Sequence, residues 1–175
     1  MEKVCEENIL SLDTASRNTG YAIYKDGKLL DTGVWRLKGK TKYWDLYKHI
    51  TETITKYGIS LILAEDIYKD KSKAYAYDIL CECRGIVELC AQQMGLQETK
   101  FISAMRVKNT IWGYNPKRYQ LHRDFTRSKQ KGIMIDAIAK LGYMSPNNTN
   151  DDEADAIALL IAYFKIWHYK LPLVG

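Results

Sequence analysis

The sequence predicts an α/β fold: a mixed five-stranded sheet, antiparallel at first and parallel later, flanked by helices on both faces. Three observations predict it. The chain opens with three strand-like segments, the last two joined by a tight turn. Continuous apolar runs then alternate with segments of helical period. The final helical segment is apolar nearly all round, which demands burial.

Residues 8–13 (Asn-Ile-Leu-Ser-Leu-Asp) and 19–25 read as strands, with a third over about 28–37. Asp26-Gly27 between the last two is a two-residue hairpin turn, whose favoured form needs positive φ at both positions. A helix follows, because Tyr43, Tyr47, Ile50, Ile54 and Tyr57 recur at spacings of 4, 3, 4 and 3. Thr41 can cap its start and Gly58 its end. Residues 60–65 (Ser-Leu-Ile-Leu-Ala-Glu) form an apolar run ending in an acid, the pattern of a strand covered on both faces. A long helix over about 72–94, a short strand near 98–102 and a helix near 103–112 come next. The stretch 113–128, with Gly113, Pro116 and many charges, reads as a loop. Helices near 129–141 and 151–168 close the chain, separated by the turn residues 146–150. No repeat or low-complexity linker interrupts this order, so residues 1–175 read as one domain.

The 175 residues suffice to bury a core, and 46% hydrophobic with 27% charged residues is a globular composition. The longest apolar stretch, 154–164 with Asp155 inside it, falls far short of the roughly 18 residues a membrane span needs. Glu6, Glu7 and Asp13 interrupt the N-terminus, so no secretory leader is expected and a cytoplasmic location is. Cys81 and Cys83 are too close for a C-x-x-C metal pair, and with Cys5 and Cys90 they read as reduced thiols. The histidines His49, His122 and His168 read as surface or loop groups and not as ligands. Between Lys100 and Lys131, nine basic residues face only Asp124, so this window carries +8 while the whole chain carries +5 and the rest sums to −3. Such a segment is either a solvated face or the footprint of a polyanionic partner.

Four acids stand out. Asp13 ends the first strand and Glu65 the fourth. If those strands pair in parallel, their ends lie about 4.8 Å apart and the carboxylates converge. Asp152 and Asp155, at i and i+3, project from one face at the start of the buried last helix. Acids in a helix's first turn are favoured by the dipole alone, so this pair gains weight from the other two. Four carboxylates at one point need cations, and all-oxygen ligands suit Mg²⁺ or Mn²⁺. Two such ions about 4 Å apart serve phosphodiester displacement.

Asp13-x-x-Ser16-Arg17-x-Thr19-Gly20-Tyr21 resembles the opening motif of the RuvC family of Holliday-junction resolvases, which have an RNase H-like fold. Ala64-Glu65 with Asp66-Ile67-Tyr68 resembles its second acidic motif with a nearby aromatic. Asp152-Glu153-Ala154-Asp155-Ala156-Ile157-Ala158 resembles its C-terminal motif. Met105-Arg106-Val107-Lys108-Asn109-Thr110-Ile111-Trp112-Gly113 is similar to a further family segment. The resemblance runs from about residue 8 to 165. It implies a nuclease that holds two Mg²⁺ or Mn²⁺ ions on Asp13, Glu65, Asp152 and Asp155 and cuts Holliday junctions and other branched DNA. It implies Lys131 as the catalytic lysine, with Lys129 the alternative, and Lys108 near the scissile phosphate or backbone. Arg17, Lys117, Arg118, Arg123, Arg127 and Lys129 are expected on DNA. Thr14-Ala15, where bacterial members usually have Pro-Gly, and the long basic loop look like the divergent phage-type members, which implies a bacterial or phage-infected cell.

Tyr68, three residues past Glu65, is placed either to stack on an unpaired base or to pack in its loop. Helix 72–94 has one apolar line in Ala76, Leu80, Cys83, Val87, Cys90 and Met94, and a second in Tyr75, Ile79, Ile86 and Leu89. One line suits the sheet. The other needs the chain's own C-terminal helices or a second subunit, and a homodimer through this helix is expected. The principal rival is a ribonuclease H acting on RNA–DNA hybrids, which would use the same acids. An actin-like ATPase would need two such domains.

Overall fold

In the computed structural model, which describes residues 3–67, 74–115, 126–145 and 147–174, β1 (Ile9–Thr14), β2 (Asn18–Lys25) and β3 (Lys28–Arg36) form the expected antiparallel meander. Asp26 and Gly27 take φ values of 50° and 84° in the turn, as the Asp-Gly pair requires. β4 (Leu61–Asp66) pairs in parallel with β1, and β5 (Thr99–Ser103) in parallel with β4. The sheet has six strands and not five. Leu173–Val174 forms β6, parallel to β3, giving the order β5-β4-β1-β2-β3-β6. Two residues at an edge carry no periodicity from which a strand could be read.

The helices are α1 (Lys42–Tyr57), entered through a 3₁₀ turn at Gly39–Thr41, α2 (Ala74–Gln93), α3 (Ala104–Trp112), α4 (Arg127–Lys140) and α5 (Asp151–Ile166). Thr41 stands at the start of α1 but does not cap it. Its hydroxyl donates to the Lys38 carbonyl, and Asp45 Oδ2 accepts from the Lys38 N–H at 3.0 Å. Gly58 ends the helix in the left-handed region at φ 63°, as expected. α4 begins two residues earlier than the sequence suggests, because the Thr126 side chain accepts from the Lys129 N–H.

Alternation along the strands sorts the core into two layers. Ile9 and Ser11 of β1, Ala22 and Tyr24 of β2, and Leu61 and Leu63 of β4 face α3, α4 and α5. Leu10, Leu12, Ile23 and Ile62 face α1 and α2. α5 is the central support of the first layer. Its residues from Ala156 to Phe164 are all buried, and each large apolar side chain so placed contributes roughly 1.5–3 kcal/mol. That burial anchors the helix, and with it the acids of its first turn. Among the described residues no helix is long and apolar enough to cross a membrane. All four cysteines are free, and Cys81 alone of them is exposed.

Candidate active site

The same alternation aims the strand acids. Asp13 shares parity with Ile9 and Ser11, and Glu65 with Leu61 and Leu63, so both point toward the α5 side. The β1–β4 register ends at Leu12 opposite Ala64, so Asp13 and Glu65 are the next residues of two adjacent strands. α5 starts over this edge. Asn150 caps it by accepting from the Glu153 N–H at 3.2 Å. Its first turn carries Asp151, Asp152 and Glu153.

A cavity of about 240 Å³ lies where these elements meet. Asp13, Glu65, Asp152 and Asp155 all line it, together with Lys108, Arg127 and Lys131. Lys131 reaches in from α4 and forms an ion pair with Asp151. Lys108 Nζ, on α3, donates to Gln130 Oε1 at 3.1 Å. Lys129, the alternative to Lys131, is exposed and off the cavity wall, as is Arg17 in the β1–β2 turn. Tyr68, Lys117, Arg118, Arg123 and His122 lie outside the described residues.

The acids disturb one another. Loss of hydration, then the charges of Asp155, Glu65 and Asp152, hold Asp13 well above the usual carboxylate range. Loss of hydration and then Asp155 push Glu65 to about 7, against the pull of Lys108 and Arg127. Glu65 keeps access to water through the cavity mouth. Asp155 is raised too, first by desolvation, while Lys108 and Lys131 oppose the rise.

Among the described residues, no hydrogen-bond donor engages the side chains of these four acids. Acceptor oxygens that repel one another and lack protein donors are a donor set for a hard divalent cation. Among the described residues, no three of these groups stand in an arrangement that would by itself hold one ion.

Several participants escape a reading of the sequence. Asp151 holds Lys131 across 20 residues, and Gln130 holds Lys108. Asp151 is visible only as one more acid in a helix's first turn, which has an independent cause. Arg127, expected on phosphate, lies on the cavity wall beside the acids. His49, expected at the surface, stacks on Trp35 with ring centroids 5.1 Å apart. Ile79 and Ile86 of α2 pack on the α1-side core, away from the C-terminal helices, and Leu89 remains 54% exposed.

No curated protein matches the chain by sequence. Thermus thermophilus RuvC in complex with a Holliday junction substrate matches in fold, with a TM-score of 0.64 at 15% identity over 95% of this chain and 99% of its own. A fowlpox virus resolvase in complex with Holliday junction DNA gives 0.52 at 20% identity, over 91% and 97%. The yeast mitochondrial Holliday junction resolvase gives 0.52 at 15%, over 95% and 80%. At such identities the likeness is one of fold. The sequence pattern of crossover junction endodeoxyribonuclease RuvC, by contrast, matches residues 9–163 directly, and the chain belongs to that family.

Proposed function

We propose that this chain, as a single nuclease domain over residues 1–175, cuts Holliday junctions by phosphodiester hydrolysis with two Mg²⁺ or Mn²⁺ ions, and accepts other branched DNA. The observation that carries this is the set of four carboxylates, without a hydrogen-bond donor among the described residues, lining one cavity beside three cations. Asp13, Glu65, Asp152 and Asp155 would hold the ions. Bound there, the ions would acidify a water and stabilise the leaving oxygen. Lys131 and Lys108 face the same space and offer ammonium groups to a phosphate's charge. Arg127 stands at the wall where the backbone would enter. Arg17 and Lys129 extend the positive surface outward, Lys117, Arg118 and Arg123 continue the basic run in sequence, and Tyr68, three residues past Glu65, would stack on an unpaired base. This basic stretch and Thr14-Ala15 support a divergent, phage-type member acting in a cytoplasm.

A four-way junction is resolved by two matched nicks, so two copies related by a two-fold axis suit it. Leu89 is exposed on α2, and Gly85 has open space where a side chain would stand, which supports α2 as the meeting face. Leu89→Glu is expected to convert a dimer to a folded monomer in light scattering. A wild-type protein monomeric at micromolar concentration on junction DNA would remove the dimer.

The deciding experiment offers purified protein four-way, Y-shaped and linear DNA and an RNA–DNA hybrid, each with Mg²⁺, Mn²⁺ or chelator. Paired nicks in the four-way junction, dependent on metal, are expected. Preference for the hybrid would replace this reading with the ribonuclease H one.

A further inference from the structure

We infer that Gly20, Thr32 and Glu153 form a seat that sets Asp152 and Asp155 against Asp13, acting as positioning residues for the acid cluster. The inference rests on the reading of that cluster as metal-holding.

Gly20 pairs with Asp13 across the β1–β2 ladder and faces the α5 side. A Cβ there would stand 1.8 Å from the Asp152 carbonyl oxygen, 2.4 Å from its carbon and 3.1 Å from the Glu153 nitrogen. All three are backbone atoms, so nothing can swing aside. Glycine at this position provides space, which lets the first turn of α5 rest on β2 next to Asp13.

Glu153 fixes how that turn is rotated. It lies between the two acids in sequence but is held from β3. Thr32 Oγ1 donates to Glu153 Oε1 at 2.6 Å, and Asn148 Nδ2 donates to Oε2 at 2.9 Å. Successive helix residues are turned by about 100°, so tying Glu153 to β3 sets the directions of Asp152 and Asp155. Ser11 Oγ, donating to the Ala156 carbonyl at 2.8 Å, pins the next turn to β1. Neither Thr32 nor Glu153 lines the cavity, so their effect on the site passes through position.

The test compares Thr32→Val, Thr32→Ser and Gly20→Ala with wild type. The readouts are Mn²⁺ titration by thermal unfolding without DNA, amide hydrogen exchange over residues 152–155 in chelator, and four-way junction binding in chelator. Thr32→Val is expected to raise the Mn²⁺ half-saturation about tenfold, the lower end for losing an outer-shell partner. It should speed first-turn exchange several-fold and leave junction binding unchanged. Thr32→Ser should restore wild-type values, and Gly20→Ala should move them further than Thr32→Val. The Thr32 variants add no bulk, so they decide the outcome even if Gly20→Ala fails to fold. Wild-type half-saturation and exchange in Thr32→Val would overturn the seat alone. A wild-type protein that does not respond to Mn²⁺ would overturn the metal reading and the seat with it.

Discussion

Glu65 and Asp66 are neighbours at the end of one strand, yet alternation sends them to opposite faces of the sheet. Asp66 meets Arg84 of α2 at 2.8 Å, with side chains 47% and 36% exposed. Arg84 also donates to Glu88 at 3.0 Å and lies over the Phe101 ring. Glu65 lines one cavity with Asp13, Asp152 and Asp155 and is pushed up to about 7. One acid has its counter-charge in the protein. The other stands among acids, where Lys108 and Arg127 offset only part of the charge. The contrast extends to the two faces of this strand end: the α2 side pairs its acid within the chain, while the α5 side gathers four acids around one cavity.

The widest consequence is in cleavage. Asp13→Asn, Glu65→Gln, Asp152→Asn or Asp155→Asn is expected to slow single-turnover junction cleavage more than about 10³-fold, beyond the usual loss of one electrostatic stabiliser. Junction binding in chelator should persist, since phosphate contacts gain nothing from these acids. Near-normal cleavage by Glu65→Gln would erase the distinction between the faces.

A smaller effect is expected in stability. Asp13, Glu65 and Asp155 bind protons more tightly folded than unfolded, where carboxyls titrate at roughly 4. The folded protein therefore holds extra protons between those values, and stability falls as pH rises through that window toward about 7. In chelator the unfolding midpoint should drop by several degrees from about pH 5 to about pH 8, at about 2–4 °C per kcal/mol. Mg²⁺ should recover it mainly at the higher pH, and Glu65→Gln should flatten the decline. A midpoint that rises with pH as steeply in both proteins would contradict the crowding of these acids.

The smallest effect belongs to the partnered acid. Asp66→Asn is expected to cost less than about 1 kcal/mol, the range of an exposed ion pair, and to leave cleavage unchanged. Urea unfolding and a cleavage time course check both halves.

Much of this contrast is legible in the chain. Strand alternation and the apolar run before Glu65 need no tertiary knowledge, and the Asp26-Gly27 turn fixes the meander. The acids of β1 and β4 stand out because charge is unusual at the ends of buried strands, and the α5 pair gains weight beside them. What escaped depends on distant pairings. Thr32 and Glu153 are 121 residues apart, and Lys131 and Asp151 are 20 apart. Neither contact leaves a periodic trace. Thr41 failed as a cap because Asp45 competes for the same corner. Ile86 belongs to the α1-side core, because the direction of a second apolar line on α2 depends on where α1 settles.

Gly20 has a consequence for how this sequence can vary over generations. Glycines kept for a left-handed turn, such as Gly58 at φ 63° with only the Asn8 side chain 3.8 Å from where a Cβ would stand, leave an escape, because asparagine also adopts that conformation. Gly20 is kept for the absence of an atom, and every single-base change that alters its codon to another amino acid restores that atom 1.8 Å from a backbone oxygen. Lineages that keep α5 seated on β2 are thus expected to carry glycine here even as surrounding residues drift, and a lineage that loses it should also show a remodelled start to α5.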